Sequence, residues 1–98
     1  MQIGSNRLPI PDSAKADPNA TEVVSVWVAA GNQHVTLNPH AWEDPAAWGL
    51  LLVDLARHVA NAYGQSGVMD SGDALDRIRQ GFDAEWSSPT DVASGGLV

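Results

Sequence analysis

Apolar residues recur at spacings of three and four in the middle of the chain, the pattern of one face of an amphipathic helix. We predict a helix over residues 45–63, with Asp44 as its N-cap, Pro45 at its first position and Gly64 as its stop. The apolar stripe comprises Trp48, Leu51, Leu52, Leu55, Val59, Ala62 and Tyr63. Other apolar residues widen this stripe, so the helix is expected to contact two neighbours. One is its own sheet, and the other is either the following helix or a second copy of the chain.

A run of β-branched and aromatic residues precedes this helix. Residues 21–30 predict a strand, residues 33–38 predict its antiparallel return strand, and Gly31-Asn32 fits a two-residue turn between them. Pro39 ends the second strand. The two runs therefore predict a β-hairpin.

The turn at Gly31-Asn32 fixes which residues face each other across the hairpin. The expected pairs are Val28 with Val35 and Val26 with Leu37 on one face, and Trp27 with Thr36 and Ala29 with His34 on the other. The first face is expected to pack on the helix. The second face contains Val23, Trp27 and His34, and we treat these three residues as a candidate interface.

A second helix is predicted over residues 71–87, with Asp70 or Ser71 as its cap. Its apolar stripe is narrow and consists of Leu75, Ile78, Phe82 and Trp86. The fold class is therefore α+β, an antiparallel hairpin followed by two helices. Residues 1–20 are predicted to be an extended and mostly flexible arm, residues 21–91 the single domain, and residues 92–98 a flexible tail. Within the arm, docking of Leu8 to Pro11 and disorder are equally open.

A two-stranded hairpin is marginal in water and leaves its edges unpaired. A twofold dimer that pairs strand edges or stacks sheet faces would complete the sheet, and we expect a homodimer.

Composition limits the classes of partner. The chain has 98 residues and a net charge of −7, from five basic and twelve acidic residues. This balance argues against binding to nucleic acid or to anionic membranes, because both need clustered basic side chains. No cysteine is present, so disulfides and thiolate sites are excluded. No apolar run reaches the length of a membrane span and no signal peptide is visible, so a cytoplasmic location is expected.

Three histidines are the strongest candidates for chemistry, but they do not form a known motif. Asp54 and His58 lie four residues apart on one helix face, where a carboxylate can orient an imidazole as a base or ligand. The alternative, an exposed polar pair, is the simpler interpretation. Trp42 is expected to pack on the first turn of the helix, like a hydrophobic staple. No catalytic residue, metal site or cofactor is predicted.

Four stretches together resemble a family of short bacterial proteins that is described only as a domain of unknown function. These stretches are LPIP, TEVVSVWVAAGNQHVTL, WEDPAAWGLLLVDLARHVANAY and IRQGFDAEWSSPTD. The resemblance covers the chain from about Leu8 to Asp91. It implies a stand-alone bacterial domain and carries no assigned activity, so no functional residue is transferred from it.

The favoured function is a non-enzymatic protein-interaction module, an acidic homodimer whose exposed sheet face or N-terminal arm meets an unidentified protein partner. The alternative is a small-molecule-binding domain or modest enzyme with a pocket between the central helix and the sheet. Its candidate ligand-binding residues are Trp42, Asp54, His58 and Tyr63. A third possibility is a structural or regulatory component of a larger complex.

Overall fold

The computed structural model describes residues 6–89 and has the predicted α+β order. Its elements are α1 (Asp12–Ala16), β1 (Val24–Ala29), β2 (Asn32–Leu37), α2 (Ala46–Ser66) and α3 (Ser71–Ser87). The chain divides into two compact units, and the boundary lies between Ala41 and Trp42. The first unit contains the hairpin and the second contains the two long helices. Each unit is described by itself, and the predicted packing of the hairpin on the central helix stays a prediction.

In the first unit, β1 and β2 are antiparallel and joined by a two-residue turn at Ala30-Gly31. Both turn residues have positive φ, 52° at Ala30 and 76° at Gly31. Positive φ at both central positions is the pattern of a type I′ turn, whose twist matches that of the strands it joins. The predicted turn at Gly31-Asn32 was wrong by one residue, because Gly31 takes the second turn position and not the first.

The new turn position changes every cross-strand pair. Val26 lies opposite Val35 and Trp27 lies opposite His34, so the predicted pairs Val28–Val35 and Ala29–His34 were wrong. Each β1 residue is paired two positions earlier on β2 than predicted. Since side chains alternate faces with a period of two, this shift leaves every residue on its predicted face.

A short helix precedes the hairpin in a region for which no helix was predicted. The amides of Ala14 and Lys15 both donate to the carbonyl oxygen of Pro11, at 3.0 and 3.1 Å, and close the first turn of α1. Arg7 forms an ion pair with Glu22 across 3.4 Å. Five-residue helices such as α1 have too few residues to produce a hydrophobic period, so the sequence pattern gave no signal for it.

In the second unit, the start of α2 agrees with the prediction. The Asp44 carboxylate accepts a hydrogen bond from the amide of Ala46 at 3.0 Å. Pro45 already has helical backbone angles, φ −56° and ψ −20°. Asp44 therefore caps one of the amides that a helix N-terminus leaves free.

The predicted end of α2 at Gly64 was wrong by one turn. Gly67 is the residue in the left-handed conformation, with φ 78°. Its amide donates to the Gly64 carbonyl at 3.2 Å, and the Val68 amide donates to the Tyr63 carbonyl at 3.2 Å. These two hydrogen bonds form a Schellman motif centred on Gly67.

The start of α3 is fixed by Asp70, whose carboxylate accepts from the amides of Gly72 and Asp73 at 3.0 and 3.2 Å. The predicted bounds of α3 are confirmed. Helices α2 and α3 pack against each other, and Gly64 of α2 lies close to Ser71 of α3. Ala60 and Ala74 are the buried apolar residues of the described chain, at 2% and 3% exposure. Over residues 6–89, no helix combines the length and apolar character needed to cross a lipid bilayer.

Candidate interaction surface

Helix α2 carries two different apolar stripes. The first consists of small residues at spacings of four, Ala56, Ala60 and Gly64, and it includes the contact with α3. A Cβ atom built on Gly64 would lie 3.1 Å from the Cβ of Ser71, which shows how closely the two helices approach there. Small residues permit this close approach because no side chain stands between the two backbones.

The second stripe contains the large residues, and we name its members Trp48, Leu52, Leu55, Val59 and Ala62 the α2 seam. Successive residues of a helix are about 100° apart, so the seam is centred roughly 120° around α2 from the small stripe. Leu52, Leu55 and Val59 remain 51%, 53% and 39% exposed. Of the seven residues of the predicted stripe, Trp48 and Leu51 are half-buried and the other five are exposed, so α3 leaves most of the stripe uncovered.

Burial of the exposed seam would contribute a substantial hydrophobic free energy. Full burial of a Leu or Val side chain stabilises by about 1.5–3 kcal/mol. Covering the exposed half of each of these three residues would therefore contribute about 1 kcal/mol per residue. Exposed apolar residues in one continuous stripe are typical of surfaces that bind another protein.

Helix α3 adds two exposed aromatic residues to the helical unit. Phe82 and Trp86 stack with ring centroids 5.6 Å apart and planes 20° apart. Trp86 is 77% exposed. Its rotamer is thus supported by Phe82 while most of its surface faces solvent.

The candidate interface on the hairpin unit is partly assembled. Trp27 and His34 form a directly opposed pair, although Thr36 and not His34 was predicted opposite Trp27. The indole Nε1 of Trp27 donates to the Ser25 hydroxyl at 3.1 Å. His34 Nε2 lies 3.1 Å from the Ala29 carbonyl oxygen and donates to it, since a carbonyl can only accept.

The pairing of the two strands continues beyond β1 to the third predicted interface residue. The amide of Asn38 donates to the Val23 carbonyl at 2.9 Å. Since side chains alternate along extended backbone, this places Val23 on the same face as Trp27. Trp27 and His34 are both exposed, whereas Val23 is half-buried.

The four candidate ligand-binding residues are dispersed over the helical unit. Trp42 packs edge to face on Trp48, with ring centroids 5.1 Å apart and planes 80° apart, and this is the staple-like contact expected for it. Asp54 and His58 are exposed, and within residues 6–89 the side chain of neither makes a hydrogen bond or an ion pair. Tyr63 lies nine residues after Asp54, which places it about 180° away around α2. In the described part of the chain, no group of three or more His, Asp or Glu residues could hold a metal ion.

Sequence reasoning missed a groove in the hairpin unit. It has a volume of about 680 Å³ and is lined by residues 6–11 together with parts of α1 and β1. Leu8 to Pro11, for which docking had been left open, supplies part of this lining. The only sequence signal was the LPIP motif, whose prolines favour extended backbone.

The family model for a domain of unknown function, DUF5076, matches residues 7–90. The chain belongs to this family. The resemblance inferred from LPIP and the following stretches is therefore confirmed, together with its approximate limits. Membership assigns no activity and no site residue.

One solved structure is similar over almost its whole length. It comes from the photosynthetic bacterium Rhodopseudomonas palustrus CGA009 and is provisionally described as a pyruvate dehydrogenase. The two chains are 37% identical, the alignment covers 99% of each, and the TM-score is 0.77. No curated protein matched the sequence.

Proposed function

We propose that this protein is a small non-enzymatic interaction module that acts as a homodimer. The observation that carries the proposal is the α2 seam, whose large apolar side chains stay about half exposed. The buried residues of α2 and α3 are the alanines Ala60 and Ala74, which contribute little hydrophobic free energy, and Leu51, Leu75 and Ile78 are only half-buried. Two helices with so small a buried core need an additional partner to be stable.

The hairpin unit supports the same proposal. A two-stranded sheet leaves one edge of each strand without backbone partners, and such edges are stabilised by pairing or by cover. The Trp27–His34 pair presents an aromatic ring and a polar ring on one exposed face. Such a face is suited to an unidentified protein partner, because aromatic residues are enriched in interface cores.

The oligomeric state tests the proposal directly. Native mass spectrometry and sedimentation equilibrium should give twice the chain mass of 10.3 kDa at micromolar concentration. The midpoint of thermal unfolding should rise with protein concentration, because association stabilises the folded state by mass action. A mass of 10.3 kDa at all concentrations, with an unfolding midpoint independent of concentration, would overturn the proposal.

The small-molecule alternative has weaker support. Helix α2 places Tyr63 on the opposite side from Asp54, so these two residues cannot contact one small ligand directly from α2. The description of the similar structure names an activity, but no arrangement of the described residues favours that activity here. Replacing Asp54 and His58 together would test the pocket: an unchanged ligand-induced rise in unfolding temperature would exclude their role.

A further inference from the structure

We infer that the α2 seam is the self-association surface, and that it pairs antiparallel with the α2 seam of a second copy. This inference rests on the proposed homodimer and specifies its geometry. It makes the helical unit of the dimer a four-helix assembly, in which α2 contacts α3 through small residues and the second α2 through large residues.

The spacing of the seam indicates that its partner is a helix. Its residues, 48, 52, 55, 59 and 62, follow each other at intervals of four, three, four and three. This is the heptad spacing with which two helices pack side chains into each other's surface over several turns. Only Trp48 of the seam is half-buried, and the rest is exposed. The seam therefore has the spacing to pack against another helix, and α3 does not occupy this position.

The charges of α2 permit pairing with an identical helix. The chain carries a net charge of −7, so most surfaces of two copies would repel each other. With histidine counted as neutral, as in that net charge, the charged residues of α2 are Asp54 and Arg57. Both lie at least about 120° around the helix from the centre of the seam. The residues flanking the seam include Leu51, Ala56, His58 and Tyr63, and none of them is acidic. A second copy therefore meets no like charge at this surface.

The two ends of the seam are also complementary in size about a twofold axis. Leu55 lies near the middle of α2, which spans residues 46–66. Antiparallel pairing about an axis at Leu55 places the Trp48 of one copy level with the Ala62 of the other, since both are seven residues from the axis. The largest seam side chain then faces the smallest, and residues 46–64 of both helices overlap along about 28 Å. A twofold interface requires such a match of a surface with itself.

A matched pair of leucine substitutions tests the inference in the full chain. Leu55→Glu places a charge at the centre of the seam. Leu50→Glu makes the same change on the same helix, at a side chain that is 70% exposed and lies about 140° around α2 from Leu55. In sedimentation equilibrium, Leu55→Glu should raise the dimer dissociation constant by about 100-fold or more, since each dimer contains the change twice. Leu50→Glu should leave it within about threefold of the wild-type value.

Cysteine cross-linking gives an independent test that does not depend on disrupting the fold. The chain has no cysteine, so single variants report one position each. A short bismaleimide should join Leu55→Cys chains into covalent dimers, because the two residues lie at the twofold axis. It should leave Leu50→Cys chains as monomers at the same protein concentration.

The outcomes separate the seam from the proposed homodimer. A wild-type dimer with no cross-link at residue 55, or with equal effects of the two glutamate variants, would overturn the seam and keep the homodimer. A wild-type monomer would overturn both. If the wild type is monomeric and only Leu55→Glu lowers its unfolding temperature, the seam is covered by another part of the same chain. Circular dichroism of Leu55→Glu, compared with the conservative Leu55→Met, distinguishes dissociation from loss of helix.

Discussion

The close approach of α2 and α3 at Gly64 predicts that one glycine-to-alanine change costs stability while the same change elsewhere adds stability. Gly64 and Gly81 both lie within helices. A Cβ at Gly64 would meet the Ser71 Cβ at 3.1 Å and the Ser71 amide nitrogen at 3.4 Å, whereas a Cβ at Gly81 would meet nothing within 4 Å. The substitution is therefore the same at both sites, a glycine-to-alanine change within a helix, and only Gly64 has a close neighbour on another helix.

The magnitude follows from two opposing terms. Alanine in place of glycine inside an exposed helix stabilises by about 1 kcal/mol, and this gain applies at both positions. Overpacking of a tight contact costs about 1–3 kcal/mol, and this cost applies only at Gly64. Gly81→Ala should therefore stabilise by about 1 kcal/mol, and Gly64→Ala should be between neutral and about 2 kcal/mol less stable than the wild type.

The assay is urea and thermal unfolding of both variants at one fixed protein concentration, because association changes apparent stability. For a chain of this size, 1 kcal/mol shifts the thermal midpoint by about 4–8 °C, so the difference is measurable. Gly49→Ala, a second site with nothing within 4 Å of the added Cβ, serves as a further control. Replacing Ser71 with Gly removes the nearest atom, so it should reduce the penalty of Gly64→Ala in a double-mutant cycle.

A gain in stability from Gly64→Ala as large as that from Gly81→Ala would contradict a tight contact between α2 and α3 at Gly64. Equal gains would mean that α3 starts far enough from α2 to accept a methyl group. The small stripe would then not determine the distance between the two helices.

Further substitutions test the local interactions of each unit. Ala30→Gly should stabilise the protein relative to Ala29→Gly by about 1 kcal/mol, because the left-handed conformation at Ala30 penalises a Cβ atom; chemical unfolding of the two variants compares them directly. Asp70→Ala should destabilise α3 by about 1 kcal/mol through loss of its cap, whereas Asp70→Asn should retain most of the stability. Unfolding temperatures of both would contradict the capping role if they fell equally. Arg79→Ala should change the free energy of unfolding by less than about 0.5 kcal/mol, because its ion pair with Asp83 is exposed and screened by solvent. A larger loss in urea unfolding would show that Arg79 has another partner.

The order and type of the main elements were determined by local sequence. Asp44 acts as a cap as predicted, and Asp70 is the one of the two predicted candidates, Asp70 and Ser71, that caps α3; each bonds amides only two or three residues away. The hairpin was predictable for the same reason, although its turn was placed one residue late. That error changed the pairs and left the faces intact, so the predicted hairpin interface of Val23, Trp27 and His34 stays on one face.

Other features required the tertiary structure, because the sequence contained two residues equally able to play the same local role. Gly64 and Gly67 are both able to end a helix, and only the structure shows that Gly67 does so while Gly64 permits the approach of Ser71. Helix α1 is too short to produce a hydrophobic period, and the groove beside it forms only when residues 6–11 and β1 come together in the fold.

The face of α2 that packs against α3 is the feature that the sequence could least predict. Hydrophobic periodicity identifies large apolar side chains and assigns them to a buried face. It does not specify which face α3 selects, because helix packing depends on how closely two backbones approach as well as on hydrophobicity. In the structure the buried Ala60 and the close approach at Gly64 mark the side of α2 next to α3, whereas Leu50, Leu52 and Leu55 remain exposed. The sequence therefore determined that α2 has a face to bury, and only the tertiary structure decided that α3 would not bury it.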